Sequence, residues 1–444
     1  MAKALTARVV KSISLLGSTQ GLNMVCTVVR LKVLSVLVGP AGVGLMGALT
    51  QSAEMIGNLS QLNIRTTAVR DLASAPRGRF DATLTAVRRY GRLLGLVGAA
   101  LMFLFAPLLA EFTFPRGGMA WAYRIAAASV LFQALQGSEL VVLQATSNYR
   151  QIAASSLLTA VVGLLIAVPL YWFLRLDGVA PSIVAYSVVA WLGAMWFSRR
   201  FRPQGVRPPW RASLAEGRGF IALGVVLTLT ALGSDLVNFL FMAFMGRKGE
   251  TELGLFQAGY TMVWRYAAVF FTAFSLEFYP RLSRLSRTPG RMRPLLTHQS
   301  IITTLMLLPC ALLVIALAPW LIRLVYSGEF LGVRPYLVWG MAATMVRPFT
   351  STISYAFLAA GRGRVFALTE LTSVAVGLGL NIGGYTLGGF EGLGLAMVVW
   401  MTIEAMLVGF VARRHGLPVP GRRAFLITAA SLAAASLAAL LLTL

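Results

Sequence analysis

Residues 255–279, LFQAGYTMVWRYAAVFFTAFSLEFY, and residues 336–360, YLVWGMAATMVRPFTSTISYAFLAA, are apolar runs long enough to cross a bilayer, and each carries an arginine near its middle. At about 1.5 Å per residue, Arg265 and Arg347 lie roughly 15 Å from the nearer end of their runs. That is deeper than a snorkelling side chain reaches. A charge at such depth costs about 2.5–3.5 kcal/mol even on the lenient insertion scale, so it faces a wet cavity or a partner. Fixed positive charge inside a membrane points to a negatively charged ligand.

The rest of the chain has the same character. It is 57% hydrophobic and 12% charged over 444 residues, with a mean hydropathy of +0.76. This composition excludes a water-soluble globular protein and predicts a polytopic helical membrane protein. Spans are expected at 12–38, 43–69, 91–110, 119–146, 152–174, 179–198, 219–246, 254–280, 297–326, 335–360, 365–387 and 393–412. The first run lacks a small-residue cleavage site and reads as a retained span. A further apolar run, 424–444, is long enough to add a thirteenth span, and it carries no residue of chemical interest.

The formal charge of +24 does not indicate nucleic acid. With the amino terminus in the cytoplasm, most Lys and Arg residues fall in the inner segments. The outer ends hold only Arg116, Arg175, Arg247, Lys248, Arg323 and Arg334. That asymmetry is the positive-inside signal of a multi-pass membrane protein with its amino terminus inside. Cys26 and Cys310 both fall in spans and predict neither a disulfide framework nor a metal site. His298 and His415 fall in inner basic segments. No nucleotide loop, metal-ligand spacing, nucleophile motif or cofactor fingerprint is present, so no cofactor is expected.

Every outer loop is short, which leaves no room for an extracytoplasmic catalytic domain. The inner segment 199–218, rich in Arg and Pro, separates a first lobe (1–198) from a second (219–415). The lobes resemble each other at a constant offset. Arg150 aligns with Arg364, Gly163 with Gly377, Tyr171 with Tyr385, and Asp177-Gly178 with Glu391-Gly392. Gly44-Leu45 aligns with Gly254-Leu255 at a slightly shorter offset. Six spans per lobe is an even number, so the two bundles are expected to run parallel around a central cavity.

Polar stripes mark the expected cavity face. The second span places Gln51, Glu54, Asn58, Gln61 and Arg65 on one helical side, and the first places Asn23, Thr27 and Arg30 together. The seventh carries Thr228, Asp235 and Asn238, the eighth Gln257 and Arg265, and the tenth Arg347 and Ser351. Isolated Ser and Thr positions read as interhelical glue, whereas the charged stripes read as cavity lining. Arg65 and Arg124 lie near span ends and can snorkel; Lys32 is intermediate. Pro348 removes a backbone donor directly after Arg347. Glu54 and Asp235 are the deepest carboxylates, either proton carriers for ion coupling or counter-ions of Arg30 or Arg265. Glu139, Glu370 and Glu404 lie nearer inner ends. Arginine's planar fork binds phosphate oxygens in pairs, which suits a diphosphate.

The segments VGPAGVGLMG (38–47), ELGLFQAGYTMVWRYAAVFFTAFSLEFYPRLSRL (252–285) and GGFEGLGLA (388–396) resemble the Wzx-type O-antigen and enterobacterial common antigen translocases, lipid III flippase-like members of the multidrug/oligosaccharidyl-lipid/polysaccharide exporter superfamily. The resemblance implies flipping of an undecaprenyl-diphosphate-linked glycan to the periplasmic leaflet by alternating access. It also implies work beside a polysaccharide polymerase and a chain-length regulator. The family's cationic cavity residues carry over to Arg30, Lys32, Arg265 and Arg347, with Asn23, Gln51, Asn58 and Gln257 as polar neighbours. Rival expectations are a multidrug or organic-cation antiporter of the same superfamily, which needs a carboxylate-dominated cavity, and a membrane glycosyltransferase or polymerase, which needs a large outer loop.

Overall fold

A computed structural model describes residues 21–443 except 63, 77–78, 115–117, 202–208, 211, 214–217, 266–269, 272–273, 275–277, 280 and 286–288. Among the described residues, helices fall within each segment expected as a span and within the additional apolar run, and no strand occurs. In chain order they are α1 (21–37), α2 (Gly39–Gln61), α3 (Ile64–Ser74), α4 (Phe80–Leu104), α5 (Ala106–Thr113), α6 (Ala120–Ala145), α7 (Tyr149–Leu174) and α8 (Val179–Ser198). There follow α9 (Arg218–Lys248), α10 (Glu250–Tyr260), α11 (Pro289–Ala316), α12 (Ala318–Val325), α13 (Arg334–Ala343), α14 (Arg347–Ala359), α15 (Gly363–Arg414) and α16 (Arg422–Thr443). By length and composition, five helices among the described residues can cross a membrane unaided, or six if α4 and α5, bent by 56°, count as one span. Apolar side chains stand on their outer faces, Phe173 at 80% and Leu387 at 91% exposure. A bilayer rather than water suits such a surface. The protein is an all-α, multi-pass membrane protein.

The chain forms two compact units, residues 1–254 and 255–444. In the first, α6 packs on α4 and α8, α7 packs on α8, and α9 lies against α2, α3 and α5. One core cluster joins Leu72 on α3, Leu84 and Val87 on α4, and Val141 and Val142 on α6. In the second, α15 packs on α13 and α14, and α16 packs on α11 and α13. The run at 424–444 is thus built into the second unit rather than set beside it.

Breaks fall where the backbone dictates. The stripe expected to run unbroken from Gln51 to Arg65 stops at Gln61, because Leu62 turns left-handed (φ 48°) and caps α2. Arg65 starts a separate helix, and its side chain lies outside the described residues. Pro107 opens α5 and Pro319 opens α12, each directly after a break. The segments APLLAEFT and APWLIRLV therefore each form a short helix opened by proline after a one-residue break. Pro348 has the effect anticipated for it: the helix narrows to a 3-10 turn at Thr344–Val346 before resuming at Arg347.

Contacts repeat along with residues. A Cβ on Gly163 would meet the Tyr186 ring at 2.5 Å, and one on Gly377 would meet the Trp400 ring at 2.4 Å. Gly178 is pressed on the Leu170 carbonyl as Gly392 is pressed on that of Gly384. The tight turn repeats as well, with Arg175 at φ 50°, ψ −122° and Gly389 at φ 58°, ψ −139°. The internal repeat read from sequence thus extends to matching helix hairpins, α7–α8 and the two arms of α15.

Candidate functional site

Arg30 sits on α1, 9% exposed. Its Nε donates to the Tyr171 hydroxyl at 3.1 Å and its Nη2 to Ser182 Oγ at 3.4 Å. Its guanidinium lies 4.9 Å from the Tyr186 ring centre. Ser182 Oγ also donates to Tyr171 Oη at 3.0 Å. The α7–α8 hairpin therefore holds this cation through hydroxyls and a ring, so its charge is supported without being neutralised. The expectation that Glu54 or Asp235 is its counter-ion is not met. Asp235 Oδ2 instead accepts from Asn58 Nδ2 at 2.8 Å, joining α9 to α2.

The other residues of the first unit are spread along these helices. Lys32, two positions from Arg30, is half-buried on a different face of α1. Asn23, two turns before Arg30, is half-buried, and its Oδ1 has no hydrogen-bond partner among the described residues. Gln51 is buried, Glu54 half-buried and Asn58 exposed, so the α2 stripe opens progressively along its length. Glu139 is a structural counter-ion: Arg88 grips it at 2.9 and 2.7 Å, and Ser198 Oγ donates to it at 2.5 Å.

In the second unit, Gln257 is buried on α10. The chain then makes a π turn, Thr261–Arg265, a local widening that re-aims the side chains after it. Trp264 and Arg265 are consecutive in that turn but diverge: Arg265 is exposed, while the Trp264 ring lies under Arg347, 4.7 Å from its guanidinium. Phe271 adds a second ring at 5.1 Å. The two arginines expected to form a matched pair thus have unlike settings, and Arg347 is the embedded one. Among the described residues, no carboxylate oxygen comes within 4.0 Å of its guanidinium and no acceptor bonds it. Stacking occupies a guanidinium's face, while its N–H donors point outward in the ring plane and stay available.

The residues that sequence reasoning missed are aromatic. Trp264 stacks against Trp400 at 5.7 Å, and Tyr260, Phe256 and Tyr336 continue the ladder. Trp400 Nε1 donates to the Ser373 carbonyl at 2.8 Å and to Ser373 Oγ at 3.1 Å. The signal was available: the offset that pairs Gly163 with Gly377 also pairs Tyr186, the ring under Arg30, with Trp400. Each unit presents an arginine against an aromatic assembly built on that repeated position.

Residues 33–335 match the family described as polysaccharide biosynthesis protein. The chain belongs to that family. No curated protein matches it in sequence. Its fold is that of solved membrane transporters. One is the lipid II flippase MurJ in an inward closed conformation, with a TM-score of 0.72 and 15% identity over 95% of this chain and 92% of that one. Another is an inward-facing multidrug resistance MATE family transporter of the MOP superfamily, with a TM-score of 0.67 and 14% identity over 89% and 94%. A MOP superfamily transporter from Pyrococcus furiosus, whose binding pocket is described as having reversed polarity, gives a TM-score of 0.57 and 14% identity over 91% and 94%. For a member of this family the shared fold sets the frame, and the chemistry has to be argued from the chain's own side chains.

Proposed function

We propose that this polysaccharide biosynthesis protein is a flippase that carries an undecaprenyl-diphosphate-linked oligosaccharide across the membrane by alternating access. The observation that carries the reading is Arg347, embedded in a membrane helix on two aromatic rings and left without an ion-pair partner among the described residues. A guanidinium so placed is suited to bind a phosphate-bearing headgroup through charge-assisted hydrogen bonds. Family membership supports a saccharide precursor as cargo. The fold shared with a lipid II flippase supports a lipid carrier. Arg30, held by neutral groups, supplies a second supported cation in the first unit, with Lys32 and Arg265 as further candidates. Asn23, Gln51, Asn58 and Gln257 are proposed to bond sugar or phosphate oxygens. Glu54 and Asp235 remain candidates for ion coupling.

On this reading the protein lies in the bacterial inner membrane with its amino terminus in the cytoplasm, and the lobes 1–198 and 219–415 move about the linker 199–218. The product passes to a polymerase and a chain-length regulator. O-antigen, enterobacterial common antigen and similar repeat units are all compatible cargoes. A cation antiporter is the second reading, favoured by the MATE-like fold and by the membrane carboxylates Glu370 and Glu404 on α15. Deleting the gene in its native host and identifying the lipid that accumulates in the inner leaflet tests the choice. An undecaprenyl-diphosphate-linked oligosaccharide is expected. Unchanged surface polysaccharide with no such intermediate would overturn the proposal.

A further inference from the structure

The geometry of α15 brings two carboxylates to Arg347 that the flippase reading does not use. The helix folds back at Gly388–Gly389, where both residues leave helical geometry. Its two arms are fastened by the Trp400–Ser373 hydrogen bonds and by the contact of Gly377 with the Trp400 ring. One turn farther from the fold, Glu370 precedes Ser373 by three positions and Glu404 follows Trp400 by four, so both stand on the faces that meet. Trp264 spans from Trp400 to the underside of Arg347, and α14, which begins at Arg347, packs on α15. The charges of Glu404 and Glu370 act on Arg347 without closing an ion pair with it. Among the described residues, the other titratable groups acting on Arg347 are the phenols Tyr260 on α10 and Tyr355 on α14.

We propose that Glu370 and Glu404 compete internally with the substrate's diphosphate for Arg347, so that anion binding at this site is coupled to proton uptake by the carboxyl pair. With both carboxylates ionised, the trio carries net negative charge and repels a diphosphate. Protonating one leaves it neutral, and protonating both leaves the guanidinium charge unopposed. Protonation of the pair thus favours anion binding, and loss of the proton favours release. Glu370 and Glu404 are positioning residues here, acting through Arg347 rather than on the substrate.

This rests on the flippase reading, and the two can fail separately. Full-length protein in nanodiscs is titrated with farnesyl diphosphate, a short prenyl diphosphate, from pH 5.5 to 8.5, and quenching of Trp264 and Trp400 reports binding. Wild-type affinity is expected to fall by up to about tenfold per pH unit over part of this range, as one linked proton requires. Glu370→Gln with Glu404→Gln should bind as tightly at pH 8.5 as wild type does at pH 5.5, keeping only the ligand's own titration. Glu404→Asp should keep the slope. Arg347→Gln should bind weakly at every pH. If Arg347→Gln binds like wild type, the diphosphate site itself is wrong. If Arg347→Gln loses binding but the double variant keeps the wild-type slope, the carboxylates are not the linked groups and this inference is overturned.

Discussion

Arg88 and Glu139 show what a paired charge in this chain looks like, and so sharpen the contrast with Arg30 and Arg347. Their side chains are 16% and 10% exposed and joined in a two-point ion pair. The Arg88 fork also reaches the Phe201 carbonyl, tying α4 and α6 to the end of α8. Glu139→Leu alone leaves a buried cation unpaired and should cost about 3–5 kcal/mol. Arg88→Met with Glu139→Leu should recover most of that loss, and thermal melts in detergent would read both. Arg175 gives a second test. It holds a φ of 50° and ψ of −122° that glycine adopts at the matching position 389, while its Nη1 donates to the Leu37 carbonyl at 2.7 Å at an exposed site. Such strain costs roughly 1–3 kcal/mol, more than an exposed hydrogen bond returns. Arg175→Gly is expected to raise stability by about 1 kcal/mol; a lower melting temperature would show that the Leu37 bond dominates.

Helices were legible in the sequence because membrane spans need only length and an apolar face, and 21-residue runs such as 424–444 advertise both. Their interruptions were legible only where proline announces them, as at Pro348. Leu62 gives no such warning, since its left-handed turn is imposed by packing, and the α2 stripe was therefore read one turn too far. Depth marked Arg347 as a residue needing explanation. It did not distinguish it from Arg265, because a π turn changes facing direction without changing composition. The α15 hairpin was visible as a glycine run, but its meaning lies in distance: a Cβ on Gly392 would sit 2.1 Å from the Gly384 carbonyl. Backbone cannot yield as a side chain can. Gly392→Leu should force the arms apart, destabilise the protein by about 1–3 kcal/mol or more, and blunt the pH dependence of ligand binding. Removing residues 422–443 should strip the cover from α11 and α13 and lower the melting temperature. An unchanged melt would mark α16 as the accessory span that composition alone implied.

Across the whole molecule, the two units repeat a related device, a cation against an aromatic ring: Arg30 lies on Tyr186 itself, and Arg347 lies on Trp264, which packs on Trp400 at the matched hairpin position. Arg30 donates to two hydroxyls beside one ring, and Arg347 lies against two rings. Neither arrangement neutralises the guanidinium, and keeping such charges inside a membrane protein is costly unless a ligand uses them. The decisive measurement is leaflet exchange of a fluorescent undecaprenyl-diphosphate oligosaccharide in liposomes containing the purified protein. The account predicts that wild type moves the lipid to the opposite leaflet, and that Arg347→Gln slows it on the order of tenfold to a hundredfold, as loss of a charge-assisted contact implies. Liposomes in which the lipid stays put, while an organic cation is exchanged instead, would contradict it.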